Sequence, residues 1–536
     1  MEKDRVKVLM LTIYGCFLMI TARFFYWQVW ESPNLKEKAL AQTLKLEREM
    51  PNRGRILFSD GFKGAINLSG WEISIYKPNL TKDINEVFDL VIEVKPELKE
   101  SQSLKNFIEN PGAKWLTLAS FFTNEEIEKL KGLGLNFDSV SKRYYPEGDM
   151  AKNIIGFVGK DEYGQSVGYG GLEAYYDKLL KGKSGYVWRA KDAQGKTVFT
   201  RKGWSLAAVD GEDLETSINR SIQYEVEKVI REGIDRYDAE SGSVVVMEPL
   251  SGKILAMVSL EGGEEATKSS QRNKVISDLY EPGSVFKPVV VAMGLDSGRI
   301  DQGFVCEKCD RPRVIGEYTI NNWDFGVHPQ SDLKTIIKNS DNIGMSYIME
   351  RIGKDTFFEY FDKLGLKKKT GIDLQGEARS VFKQYWSEID LATASFGQGF
   401  GITQIQMVRT FNVLANNGFL VGPSVAGRQI KSERVLKDES VEIVKGILKY
   451  AVENGSIAQY KPSNLEVCAK SGTSQVAVEG GYTDDETVGS YIGFSPCQNP
   501  KFTMLVTFFN PKSSTWGSST AAPVWFELAS KINRLL

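Results

Sequence analysis

The sequence predicts an α+β protein: an antiparallel five-stranded sheet flanked by helices, preceded by a mixed, elongated N-terminal pedestal and one N-terminal transmembrane helix. Three observations lead there. Two strand-like apolar runs lie within residues 242–260 and three within residues 465–509, with mainly helical patterns between them. One sheet split in sequence and covered by those helices accommodates that order. At 536 residues the chain is too long for one hydrophobic core, and 42% hydrophobic residues mark it as globular. Finally, the run "VLMLTIYGCFLMITA" (Val8–Ala22) continues past Arg23 into "FFYWQVW", reaching the ~20 residues a bilayer span needs.

Arg23 lies near the end of that run, where a long cationic side chain snorkels to the interface. Tyr26, Trp27 and Trp30 have the composition of an interfacial aromatic belt. No small-residue cleavage site follows, so the reading is an uncleaved anchor over 1–30. Lys3, Arg5 and Lys7 precede the span, which puts the N-terminus in the cytoplasm and residues after Glu31 outside it. The net charge of −2, from 67 basic and 69 acidic residues, gives no electrostatic reason for a nucleic-acid partner. The single histidine, His328, reads as a loop hydrogen-bonder rather than a catalytic base and supplies a His/Cys metal site poorly, so neither a metal nor a cofactor is expected. "CEKC" (Cys306, Cys309) reads as a local disulfide, as zinc ligands or as two inert thiols, while Cys468 and Cys497 read as isolated.

Residues 31–214 mix short helical and strand signals around a glycine-rich centre. The segment "AKDAQGKT" (Ala190–Thr197) is a near miss for a phosphate loop: alanine stands where the first glycine belongs and no apolar strand leads in, so nucleotide binding is rejected. From residue 215 the pattern changes. "TSINRSIQYEVEKVIREGI" predicts an amphipathic helix with Ile222, Val226, Val229, Ile230 and Ile234 along one side. "GSVVVMEP" and "KILAMVSL" predict two strands joined by the turn "PLSG". Helical patterns follow in "VFKPVVVAMGL", "LKTIIKNS", "IGMSYIMERIG", "DTFFEYFDKLG" and "TQIQMVRTFNVLANNG". Three strands, "LEVCAKSGTSQVAV", "TVGSYIGFSP" and "KFTMLVTFF", and a last helix, "PVWFELASKINRLL", close the chain.

A serine three residues ahead of a lysine is a catalytic pairing when both share a helix face and the lysine is neutral. SxxK begins at Ser74, Ser139, Ser284, Ser331 and Ser380, so the motif alone selects nothing. Order does. Ser284 and Lys287 are followed by "SDN" (Ser340–Asn342) and then by "KSGT" (Lys470–Thr473). Ser284 opens a predicted helix, SDN falls between two helices, and KSGT is placed on an inner strand. Ser380 comes after SDN, and Ser331 lies only nine residues before it.

SxxK, SxN and KSG in this order are the motifs of penicillin-binding proteins and class A β-lactamases. The chain resembles the class B penicillin-binding proteins, monofunctional peptidoglycan D,D-transpeptidases of division or elongation. Further resemblance lies in "NRGRI" (Asn52–Ile56), "RYYPEGDMAKNIIGFVG", "GLEAYYDKLLKG", "FGQGFGIT" and "GFSPCQNPKFTMLVTFFNP". Where the family has DRNG after the RGxI motif, this chain has "FSDG" (Phe58–Gly61). The resemblance implies a pedestal over 31–214 and a transpeptidase domain over 215–536. It implies peptidoglycan stem peptides as substrates, β-lactams as covalent inhibitors, a membrane anchor and a SEDS-type polytopic glycosyltransferase as partner.

The chemistry implied is acyl transfer. Ser284 attacks the D-Ala–D-Ala peptide bond, Lys287 takes its proton, and Ser340 and Asn342 relay the proton and hold the donor. Lys470, Ser471, Gly472 and Thr473 receive the terminal carboxylate. The backbone N–H groups of Ser284 and Thr473 form the oxyanion hole, and Gln398 shapes the cleft floor. Keeping Lys287 neutral lowers its pKa by ~3 units, about 4 kcal/mol; burial against Phe286 and the nearby Lys470 charge act in that direction. Two rivals remain: a non-catalytic wall-synthesis scaffold, and a hydrolase of the β-lactamase or D,D-carboxypeptidase kind. For the latter, Glu388 in "EIDLA" is the best local base but lacks the asparagine of the ExxLN pattern.

Overall fold

The computed structural model describes residues 2–118, 120–162, 165–191, 197–200, 205–263, 272–427, 431–478 and 481–536. The rejected phosphate-loop segment thus lies largely outside the described residues. The chain forms two compact units, Met1–Gly54 with Lys181–Glu212 and Arg55–Leu180 with Asp213–Leu536.

In the first unit, α1 (Glu2–Phe25) continues through a wider turn at Tyr26–Trp30. The stretch Lys3–Trp30 is long and apolar enough to cross a membrane. The Arg23 guanidinium lies over the rings of Tyr26 and Trp27, 5.6 and 5.2 Å from their centroids. The charge is therefore held at the aromatic end of the apolar run.

The second unit opens with a long strand, Lys63–Tyr76, paired antiparallel with Asn136–Tyr144. Helices over it bury Val87, Phe88, Val91, Leu104, Phe107, Ile127 and Leu130 against Ile73 and Ile75. Next comes α2 (Arg220–Tyr237), which begins where the Asn219 side chain accepts the N–H groups of Ser221 and Ile222. The main sheet has strands β1 (Ser241–Met247), β2 (Ile254–Glu261), β3 (Cys468–Val478), β4 (Gly481–Ser495) and β5 (Phe502–Phe509). They run in the order β2-β1-β5-β4-β3, every pair antiparallel.

Alternation decides what each strand meets. Val244 and Val246 of β1, with Met504, Val506 and Phe508 of β5, pack under α2 and the last helix, α8 (Ala521–Leu535). Val245, Met247 and Leu505 point the other way, into the helical core. All seven residues of β1 are buried, so its apolar run is continuous, as a strand covered on both faces requires. The helical core holds α3 (Lys287–Asp296), α4 (Leu333–Asn339), α5 (Asn342–Ile352), α6 (Gln404–Ala415) and α7 (Asp438–Asn454). α3 is buried almost all round, from Lys287 to Gly294, and thus runs through the middle of the core.

Two expectations are corrected. KSGT does not lie on an inner strand: β3 is the edge of the sheet, so one of its sides stays open to another chain. Cys468 and Cys497 are not isolated but form a disulfide that ties the start of β3 to the turn after β4. Cys306 and Cys309 are also joined, which settles the three-way reading of CEKC.

Candidate active site

Glu281 and Pro282 lead into a tight turn, Gly283–Phe286, that runs on into α3 with Pro288 in its first turn. Proline is suited there because its missing N–H is not needed. Gly283 has φ +61°, and a Cβ on it would sit 3.1 Å from the Thr473 carbonyl oxygen. Gly397 is tighter still: a Cβ there would meet the Gly283 oxygen at 2.2 Å. The Gly283 N–H donates to the Gly397 carbonyl at 3.0 Å, and Gly399 N–H donates to the Glu281 carboxylate at 2.9 Å. Nucleophile turn, FGQGFG turn and β3 are therefore in backbone contact, which side chains at these glycines would prevent. Ser284 is half-buried on this turn. Its hydroxyl makes no hydrogen bond among the described residues.

Lys287, one turn on, is fully buried. Its Nζ donates to the Ser340 carbonyl at 2.6 Å, Asn342 Oδ1 at 2.7 Å and Ser340 Oγ at 3.2 Å. The carbonyl and the amide oxygen only accept. They hold two of the amine's hydrogens whatever its charge, and its third position faces a hydroxyl. A neutral Lys287 thus keeps a lone pair for an O–H donor. Lys470 Nζ reaches the same Ser340 Oγ at 3.1 Å and the Ser471 carbonyl at 2.8 Å. One hydroxyl therefore bridges two buried lysines. Burial, then the charge of Lys470, holds Lys287 well below the ordinary lysine range, against an opposing pull from Asp341. Burial brings Lys470 down to about 7.

Ser340 reaches this position because it ends α4 in the left-handed region, φ +57°, while Asp341 caps α5 by accepting the Gly344 N–H at 2.8 Å. The support comes from Asn321 and Asn322, which sequence reasoning passed over, and from His328, which it read as a loop hydrogen-bonder. Asn322 Oδ1 accepts the N–H groups of Asn342 and Ile343 at 2.7 and 3.3 Å, and Asn342 Nδ2 donates to the Asn321 carbonyl. His328 Nδ1 lies 3.0 Å from the fully buried Asp341 carboxylate, so the histidine is a loop hydrogen-bonder. The signal was the "INNWD" segment, polar and aperiodic between two helices.

On the opposite wall, Thr473 Oγ1 accepts the Gly517 N–H at 3.0 Å. A Cβ on Gly472 would strike Val285 at 2.8 Å. Gln398 is half-buried beside the nucleophile turn, and its side chain makes no hydrogen bond among the described residues. Ser284, Lys287, Ser340, Asn342, Lys470, Ser471, Gly472, Thr473 and Gln398 thus lie on adjoining segments.

The other SxxK serines are occupied or stranded. Ser74 bonds Thr117, and Ser331 bonds the His328 carbonyl. Ser139 and Lys142 are exposed on a pedestal strand. Ser380 Oγ donates to the Leu366 carbonyl, and Lys383, 53% exposed, pairs with Asp390. Glu388 is 72% exposed and lies 3.3 Å from Arg313, an ion-pair role.

Residues 242–530 match the family model of the penicillin binding protein transpeptidase domain, and residues 48–216 match that of the penicillin-binding protein dimerisation domain. The chain is 26% identical to the probable peptidoglycan D,D-transpeptidase PenA of Neisseria meningitidis over 97% of this chain and 91% of the relative. It is 27% identical to stage V sporulation protein D of Bacillus subtilis over 97% and 84%. Penicillin binding protein 2X of Streptococcus thermophilus shares the fold, with TM-score 0.74 and 21% identity, over 91% of this chain and 80% of that one. With its dimerisation domain ahead of its transpeptidase domain, the chain belongs to the class B penicillin-binding proteins.

Proposed function

We propose that this chain is a serine D,D-transpeptidase that cross-links peptidoglycan stem peptides, with Ser284 as the acylated residue. The observation that carries the reading is the Ser340 hydroxyl held between two buried lysines beside a half-buried, unbonded serine. Ser284 Oγ attacks the carbonyl of the penultimate D-alanine, and its proton passes to the neutral Lys287 Nζ. The oxyanion is stabilised by the N–H groups of Ser284 and Thr473. The proton then travels through Ser340 to the nitrogen of the terminal D-alanine, the C–N bond breaks, and D-alanine leaves. An acceptor amine attacks the acyl-enzyme, loses a proton to the same relay, and releases Ser284. Asn342 holds the donor backbone. Lys470, Ser471, Gly472 and Thr473 receive the carboxylate, with the open edge of β3 aligning the peptide as an added strand. β-Lactams acylate the same serine.

The domain reading stays as a proposal: anchor 1–30, pedestal 31–214 and transpeptidase domain 215–536. So does the topology, with the N-terminus cytoplasmic, one span and the catalytic domain outside. A SEDS-type polytopic glycosyltransferase is the proposed partner. Glu388 paired with Arg313 disfavours hydrolysis. Labelling with a fluorescent penicillin tests the function: a transpeptidase keeps the label over many minutes, a β-lactamase releases it rapidly, and a scaffold takes none.

A further inference from the structure

One buried charge has no part in the acylation steps. Asp341 is fully buried between Ser340 and Asn342, the two residues whose oxygens hold Lys287 Nζ. Its negative charge favours the charged form of that lysine. Acylation needs the neutral form, so this carboxylate works against the base. Its Oδ1 accepts the Gly344 N–H at 2.8 Å. Its Oδ2 has one donor among the described residues, His328 Nδ1 at 3.0 Å. A carboxylate only accepts, so Nδ1 carries a hydrogen whether the ring is neutral or protonated. Asn322 Nδ2 lies 3.4 Å from the same nitrogen but donates to the Gly326 carbonyl at 3.0 Å. Ser331 Oγ anchors the His328 backbone by donating to its carbonyl at 2.8 Å.

We propose that His328 is a positioning residue for acylation: its Nδ1–H holds Asp341 and draws that carboxylate's charge away from Lys287, which keeps the base neutral. A donor on a carboxylate oxygen gathers the negative charge toward itself. In a buried site, a charge left unshared acts more strongly on its neighbours. The other charged groups at hand do not take this part. Lys470 bonds Ser340 and Ser471 rather than Asp341. Asp324 is exposed and accepts the Gly326 N–H, and Asp332 caps α4 by accepting the Thr335 N–H. The inference rests on the proposed role of Lys287 as the base.

The test is the pH profile of penicillin acylation, measured by stopped flow on the full chain in detergent. His328→Leu is expected to move the rising limb to higher pH and to slow acylation about fivefold at a pH on that limb, with a much smaller change on the alkaline plateau. His328→Gln, whose amide can still donate to Asp341, returns the limb to near its wild-type position. In an Asp341→Asn background His328→Leu no longer moves the limb, because the charge it would uncover is gone. An unmoved limb, an equal loss at every pH, or the same shift in the Asp341→Asn background overturns the proposal and leaves His328 a structural loop residue. A second measurement needs no variant. His328 is the only histidine, so NMR of the untagged chain carrying isotope-labelled histidine gives one set of ring nitrogen signals. A hydrogen on Nδ1 is expected; a ring with its hydrogen on Nε2 alone overturns the proposal even if His328→Leu fails to fold. A wild-type chain that penicillin does not acylate counts against the proposed function, and an acylated one whose limb ignores His328 counts against this inference alone.

Discussion

Lys287 and Lys470 both reach Ser340 Oγ, so each disfavours charge on the other, and burial disfavours it on both. Asp341 is a negative charge that favours a charged Lys287. Acylation needs that lysine neutral, so its rate rises with pH as the proton leaves. Asp341→Asn, which keeps a capping side chain, is expected to move this rising limb to lower pH in stopped-flow penicillin acylation. Stability carries the same signature. A lysine whose folded pKa is depressed binds fewer protons folded than unfolded between the two values, so stability rises with pH across that window. For Lys470 the window runs from about 7 to the ordinary 10.5. Between pH 7 and pH 9 the wild-type chain should gain about 2 kcal/mol relative to Lys470→Met, measured by denaturant unfolding at both pH values.

The elements were legible where the pattern is local. The strands β1, β2 and β5 and the helices α2, α3, α4, α5 and α6 stand within a few residues of the runs that predicted them. The sequence reading assigns no element to 419–464, yet α7 is there, with Val441, Val444, Leu448, Ala451 and Val452 buried. Its i, i+3, i+7 spacing was readable. Other features were not readable. That β3 is an edge strand follows from a sheet whose β1–β5 pairing joins Ser241 to Phe509 and Met247 to Thr503, about 260 residues apart, and no local pattern encodes strand order. The Cys468–Cys497 bond joins residues 29 apart in sequence without a spacing motif. Likewise, Asn322 acts through contacts that only the folded loop creates. The two disulfides should differ in consequence. Cys468 precedes Lys470 by two residues on β3, and closing the 29-residue Cys468–Cys497 loop stabilises by about 3.6 kcal/mol. Cys468→Ala with Cys497→Ala should lower stability by that order and slow acylation, whereas Cys306→Ser with Cys309→Ser should leave acylation within a few-fold of the wild-type rate.

At the scale of the whole molecule, the Lys3–Trp30 helix is long and apolar enough to cross a membrane, and the proposed topology puts the chemistry outside the cytoplasm. Protease added to intact spheroplasts should digest the bulk of the chain; full protection would overturn the proposed topology. The central claim is that one serine of five SxxK motifs is the nucleophile. It rests on a chain-wide convergence: a turn before α3, the junction of α4 and α5, and the edge strand β3 meet through Lys287, Ser340 and Lys470, one turn from Ser284, while Ser380–Lys383, which repeats the SVFK of Ser284–Lys287, ends in an exposed ion pair. The most direct measurement is mass-spectrometric mapping of the penicillin adduct on the full chain and on Ser284→Ala and Ser380→Ala. The account predicts an adduct on Ser284 alone, no labelling of Ser284→Ala, and near wild-type labelling of Ser380→Ala. An adduct on Ser380, or a labelled Ser284→Ala chain, would contradict it.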